Sequence, residues 1–172
     1  MDSGFSEVFL IDSNILIAPF HSYYAFEFAP EFWSFIEQNI LIKKIILLDI
    51  VFDEITAGTD ELSAWIKKIN GLETIDHKNY IAQYADILNF IQTSGFYKIE
   101  ALHSWSMPTA ADPFLIAAAI ANQYTIITGE RPNNGLNKTN PSPRAKIPDI
   151  CSQFNVKWNN LFYMLRQLGF RR

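Results

Sequence analysis

Three short apolar runs, Val8–Ile11, Ile45–Leu48 and Tyr124–Thr128, lack the strict alternation of a strand with one wet face. Strands covered on both faces read this way, so the runs fit the interior of a parallel sheet. Val156–Trp158 is a fourth, weaker run. Helical signals lie between them: Glu31–Gln38 after Pro30, Ile50–Ala57 stopped by Gly58, and Asp60–Asn70 stopped by Gly71. Tyr80, Tyr84, Ile87, Leu88 and Ile91 recur at helical spacing, predicting a helix over Lys78–Thr93 that ends at Gly95 and uses this stripe for core packing. Asp112-Pro113 should open an Ala-rich helix through Ala121, with Asp112 as its N-cap. Pro148 should open another through Phe154, and Asn160 a last one ending at Gly169. Alternating strands and helices imply an α/β fold, with three α/β/α layers around a central, mainly parallel sheet of four to five strands.

At 172 residues the chain is expected to form a single domain over 1–172, because splitting usually sets in above roughly 250 residues. Hydrophobic residues at 49%, including 14 Phe, 7 Tyr and 4 Trp, supply ample core without metal or disulfide support. A net charge of −4 argues against coating nucleic acid by bulk electrostatics. Cys151 is the only cysteine, which excludes an internal disulfide and suits a reducing cytoplasm; it reads as a small buried hydrophobe. Met1–Glu7 holds Asp2 and Glu7 and no basic residue, unlike a secretion signal, and no apolar stretch approaches the roughly 20 residues of a membrane span. A cytoplasmic protein without membrane contact is expected.

Four acids stand just after apolar runs or near helix starts. Asp12 closes the first run, Glu54 lies in the helix after the second, Asp112 precedes Pro113, and Glu130 follows the third run. Each has a plain structural explanation: Asp112 as a helix cap, Asp12 as the start of a turn through Ser13 and Asn14, Glu54 as a solvated helix residue, Glu130 as the start of a loop. Their joint placement says more, because ligand sites of open α/β sheets lie beyond the carboxyl ends of the strands. Converging carboxylates raise one another's pKa unless a cation compensates, and hard oxygen ligands favour Mg²⁺ or Mn²⁺. Such an ion activates water and neutralises charge on a phosphodiester, which is nuclease chemistry. Asp53 is turned about 100° from Glu54 on the helix, so the two cannot share a metal, and Glu54 is the expected ligand. Asp49 is expected to cap the Ile50 helix.

Residues 131–146 are rich in Pro, Asn and Gly and read as a flexible basic loop. Arg131, Lys138, Arg144 and Lys146 stand there without an acid, giving the segment +4. Two readings stay open: a solvated loop, or a clamp for substrate phosphates beside the acids.

The chain resembles PIN-domain proteins, including VapC-type toxin ribonucleases of prokaryotic toxin–antitoxin pairs, over nearly its whole length. The resemblance is carried by Phe9-Leu10-Ile11-Asp12-Ser13-Asn14, Val51-Phe52-Asp53-Glu54-Ile55, Ala111-Asp112-Pro113-Phe114-Leu115-Ile116-Ala117-Ala118-Ala119 and Ile126-Ile127-Thr128-Gly129-Glu130. It implies Asp12, Glu54 and Asp112 as catalytic metal ligands and Glu130 in a variable fourth acidic position, with Asn14 and Thr128 in support. It further implies hydrolysis of RNA with water as nucleophile, a cognate antitoxin partner and a homodimer. A fourth acid that is Glu and a long basic loop depart from the commonest pattern. Lys146–Cys151 looks like a PIN-like subgroup with little assigned function, where Asp149 is an extra ligand or, as favoured here, a first-turn helix acid.

Haloacid-dehalogenase chemistry is disfavoured because Asn14 stands where a second Asp is needed, and a receiver domain because its late-strand Lys is missing. The serious rival is a PIN-like binding or scaffold module with weak or no nuclease activity. His21, His77 and His103 have no obvious partners in the sequence. Tyr23–Phe28 with Phe32-Trp33 reads as core or, where exposed, as a protein interface.

Overall fold

The computed structural model describes residues 7–171. The acidic stretch read over Met1–Glu7 therefore lies outside the described residues except for Glu7.

Strand β1 (Phe9–Ile11) leads into helix α1 (Asn14–Phe20) and then α2 (Pro30–Leu41). Strand β2 (Ile45–Ile46) is followed by α3 (Asp49–Thr56) and α4 (Glu61–Lys68). A single 3₁₀ turn (His77–Tyr80) enters α5 (Ile81–Thr93), and α6 (Ile99–Trp105) and α7 (Asp112–Asn122) follow. Strand β3 (Thr125–Ile127), α8 (Ile147–Gln153), β4 (Trp158–Asn159) and α9 (Leu161–Gln167) complete the order. The four strands form one sheet in the order β2-β1-β3-β4, all parallel, with Phe9 opposite both Ile45 and Thr125 and Ile126 opposite Trp158. Helices flank this sheet, as the three-layer α/β/α reading expects.

The unbroken apolar runs have the burial that explains them. Phe9, Leu10, Ile11, Ile45, Ile126 and Ile127 are all essentially inaccessible, so neither face of the central strands meets water. Helix α7 packs against β1 and β3 and carries α5 on its outer side. Its run Pro113–Ala119 is wholly buried, because small Ala side chains let the helix approach the sheet closely on one side and α5 on the other. Tyr84 of α5 stacks on Phe114 at 4.2 Å, which accounts for the aromatic stripe as core. At the far edge Trp33 lies between Phe26 (4.5 Å) and Trp65 (5.0 Å) and donates to the Tyr24 carbonyl. The aromatic segment is thus divided: Phe32 and Trp33 are core, while Tyr23 (91%) and Phe28 (72%) face solvent.

Three expectations need correction. Asp112 is not an N-cap: Ala111 already has helical dihedrals, so the helix starts a residue early, Asp112 falls in its first turn and no side chain caps it. His77 is not partnerless, since its Nδ1 lies 2.8 Å from Asp49 Oδ1. Asp49 is not the cap of α3 either: Leu48 holds that position and Asp49 is in the first turn, where the same oxygen accepts from the amides of Ile50 and His77 and ties the 3₁₀ turn to the head of α3. Helices α1 and α6 had no counterpart in the sequence reading. Among the described residues, no helix is long and apolar enough to cross a membrane.

Candidate active site

Parallel strands share a carboxyl edge, and β1 and β3 each deliver an acid there. Asp12 follows Ile11 directly, its amide bonded to the Ile127 carbonyl. Glu130 leaves β3 through Thr128-Gly129. Helix α3 brings Glu54 to the same edge, and the start of α7 brings Asp112. A cavity of about 290 Å³ is lined by Asp12, Ser13, Asn14, Glu54, Thr109, Ala110, Ala111, Asp112 and Glu130. All four acids and Asn14 therefore border one space, and Asp53, one step along α3, does not border it. Other hollows open elsewhere on the surface, three of them larger, but none of them collects these acids.

The acids differ in how they are held. Asp12 is buried; Thr128 Oγ1 donates to its Oδ2 at 3.2 Å and Ser13 Oγ approaches its Oδ1 at 3.4 Å. Burial pushes the Asp12 carboxyl above its ordinary range, helped by the charges of Glu54 and Glu130 and opposed by the Thr128 bond. Asp112 goes further, to about 7, first through burial and then through Asp12, Glu130 and Glu54, with Lys146 pulling the other way. Among the described residues, Asp112 and Glu54 have no side-chain hydrogen bond and no ion pair. Glu130 is engaged on both oxygens: Ile147 N donates to Oε2 at 2.8 Å and Lys146 Nζ lies 3.2 Å from Oε1.

Oxygen-only donors around a cavity suit a hard divalent cation such as Mg²⁺ or Mn²⁺. Asp12 and Asp112 are pushed up by burial and then by neighbouring carboxylates, and Asp112 and Glu54 have no basic partner among the described residues, as in a site short of positive charge. No three of the four rim acids bring ligand oxygens within 4.8 Å of one another, so as placed they do not form a closed ligand set. Their donor chemistry fits such an ion, with Asp12, Glu54 and Asp112 as the acids that would hold it.

Of the supporting residues, Thr128 bonds Asp12 directly. Asn14 opens α1 at the cavity wall. None of the four basic residues lines the cavity: Lys146 stands beside it, paired with Glu130, Lys138 lies over the Phe96 ring at 5.6 Å, and Arg131 and Arg144 are exposed. Asp149, in the first turn of α8, accepts from the Asn133 amide with both oxygens, so it anchors the loop and does not line the cavity. Ser13 and Thr109 also border the cavity and were not singled out from sequence. Adjacency to Asp12 points to Ser13; nothing local points to Thr109, whose wall position depends on how the α6–α7 connection packs. A second acidic group, Asp49, Asp76 and His77, brings ligand atoms within 4.8 Å of one another, but its close contact is the internal Asp49–His77 bond. Cys151 is fully buried and its thiol is pushed up to about 12 by that burial, in keeping with a packing role.

The chain belongs to the family described as "Domain of unknown function (DUF4411)", which matches residues 9–172. No curated protein and no solved structure matches it.

Proposed function

We propose that this DUF4411 chain is a Mg²⁺- or Mn²⁺-dependent endoribonuclease that hydrolyses RNA phosphodiesters, acting in the cytoplasm as the toxin of a toxin–antitoxin pair. The observation that carries the reading is the single cavity bordered by Asp12, Glu54, Asp112 and Glu130, which come from four separate stretches of chain and converge at the carboxyl edge of a parallel sheet. Asp112 lies within reach of the charges of Asp12, Glu130 and Glu54, a like-charge cost to the fold that a bound cation would offset.

A divalent ion bound there supplies Lewis acidity, lowering the pKa of a coordinated water and offsetting charge on the phosphoryl oxygens. Asp12, held by Thr128 and Ser13, is the most rigid of its ligands. Asp112 must lose its proton to bind the cation, and its raised pKa places that loss near neutrality. Glu54, exposed at the edge of the cavity, is the ligand nearest solvent. The polar wall of Asn14 and Thr109 offers hydrogen-bond partners for attacking water or phosphate. Hydrolysis adds the oxygen of that water to phosphorus and breaks one P–O ester bond, with the proton passing to the leaving oxygen. An antitoxin segment and a second copy of the chain are the protein partners this reading proposes. Exposed Tyr23 and Phe28 favour a protein contact on the surface that carries them.

The test is cleavage of single-stranded RNA by the wild type and Asp12→Asn, each with Mg²⁺, with Mn²⁺ and with chelator. Wild-type cleavage that vanishes in Asp12→Asn and in chelator is expected. Cleavage that survives either change overturns the mechanism, and a folded wild type that cleaves no RNA favours the binding-module reading.

A further inference from the structure

We propose that Glu130 serves this site as the clasp of the 131–146 loop, holding Lys146 beside the acidic cavity, and that a divalent ion is held by Asp12, Glu54 and Asp112 without it. The proposal rests on the metal reading of the cavity for its second half only.

Glu130 stands immediately before the loop, and its two partners stand at the loop's other end. Ile147 N, the first helical amide of α8, donates to Oε2 at 2.8 Å, and Lys146 Nζ lies 3.2 Å from Oε1. The loop is therefore closed across its own stem by one side chain. A second rung lies alongside: the Asn133 amide donates to both oxygens of Asp149, at 3.2 and 3.1 Å. Farther out, Asn137 Oδ1 receives the amides of Thr139 and Asn140, and Ser142 pairs with the Phe96–Lys98 backbone. The path of the loop thus begins from the Glu130 clasp.

Charge separates Glu130 from the other three acids. The pair is half-buried, with Lys146 33% and Glu130 23% exposed, so its attraction is only partly screened. Ile147 is fully buried and its amide, at a helix start, has no carbonyl of its own helix to bind. A cation drawn to Glu130 would have to compete with Lys146 at Oε1, whereas Asp12, Glu54 and Asp112 have no basic partner among the described residues. Lys146 makes the pair neutral and adds a cation close enough to lower the Asp112 carboxyl.

The test uses the full chain and three measurements: Mn²⁺ affinity by calorimetry, tryptic cleavage after Lys138 and Arg144, and thermal stability as a check on folding. Glu130→Gln, which keeps an acceptor for Ile147 N, should cleave faster in the loop. It should retain Mn²⁺ affinity, while Asp12→Asn loses about tenfold or more without loosening the loop. Lys146→Met should loosen the loop and Lys146→Arg should restore it, a rescue that simple packing would not produce. A Glu130→Gln protein that loses Mn²⁺ as Asp12→Asn does, with unchanged loop cleavage, overturns the proposal. A folded wild type that binds no Mn²⁺ overturns the metal reading and the second half of the proposal, and the trypsin arm then decides the clasp alone.

Discussion

Thr128 Oγ1 accepts the Glu130 amide at 3.1 Å and donates to Asp12 Oδ2 at 3.2 Å. The incoming amide proton occupies the acceptor side of the hydroxyl, so its single hydrogen is directed at the carboxylate. A backbone turn after β3 thereby sets the orientation of the acid after β1. Thr128→Val preserves the shape of the side chain and removes this donor. The expected result is a folded protein whose Mn²⁺ affinity falls about 10- to 100-fold, the usual cost of losing an outer-shell partner. Calorimetry that finds equal affinity in the two proteins removes Thr128 from the site.

Asp112 makes the metal-free protein's stability pH-dependent, with a sign that can be worked out. Its carboxyl is raised from 3.8 to about 7 on folding, so between these values the native state holds a proton that the unfolded state has released. Stability from this group is complete below the lower value and is lost as pH rises through the upper one, by up to about 1.4 kcal/mol per pH unit. Asp112→Asn should therefore be more stable than wild type in chelator at pH 8, with no such gain at pH 4. Added Mn²⁺ should stabilise the wild type increasingly as pH passes 7 and leave the variant unchanged. Denaturation midpoints at the two pH values check both statements, and a destabilised Asp112→Asn at pH 8 refutes them.

The sheet was legible because burial on both faces leaves a direct mark: Phe9–Ile11 and Thr125–Ile127 have almost no polar residue to place. The convergence of Asp12 and Glu130 was legible for the same reason, since parallel strands must end at one edge. Helix α1 escaped notice because Asn14–Phe20 is short, contains Pro19 and has no side-chain cap. The Asp112 cap was misread because the sequence signal for a cap and for a first-turn acid differ by one residue, and Ala111 takes helical dihedrals under tertiary packing. The Lys146–Glu130 and Asp149–Asn133 pairs each join residues 16 apart across an irregular loop, and no periodicity carries such contacts. Reading 131–146 by composition supplied its charge and left open a solvated loop or a phosphate clamp, but could not show that Lys146 turns to Glu130 and Lys138 to Phe96.

Those charges give a third prediction. Arg131, Lys138 and Arg144 all extend from the loop without an acidic partner among the described residues, Lys138 lying over the Phe96 ring. Changing the three to Gln should weaken RNA binding measured in chelator and lower the log–log salt slope by about 2, as expected for three phosphate contacts on a single strand. Lys146→Gln, by contrast, should act through the loop stem and change the slope by less than one contact's worth. An unaltered slope in the triple variant assigns the loop to solvent.

Asp49 provides the control that separates folding from the site. Its Oδ1 takes the amides of Ile50 and His77 and the His77 ring, and these hydrogen bonds outweigh burial and hold its carboxyl below the ordinary range. The backbone nearby is joined too, with Asp49 N on Ile75 O and Ile75 N on Leu47 O. Asp49→Ala leaves two amides and a ring nitrogen without their acceptor while the strand-like pairing persists, so a loss on the order of 1–3 kcal/mol is expected without global unfolding. The lowered carboxyl of Asp49 contributes stability that is present above its unfolded value and lost as pH falls, so the variant should differ least from wild type in acid. Mn²⁺ affinity should be unaffected, because Asp49 lies outside the cavity bordered by Asp12, Glu54 and Asp112. If Asp49→Ala abolishes Mn²⁺ binding while Asp12→Asn preserves it, the cation belongs to Asp49, Asp76 and His77, and the rim acids need another explanation.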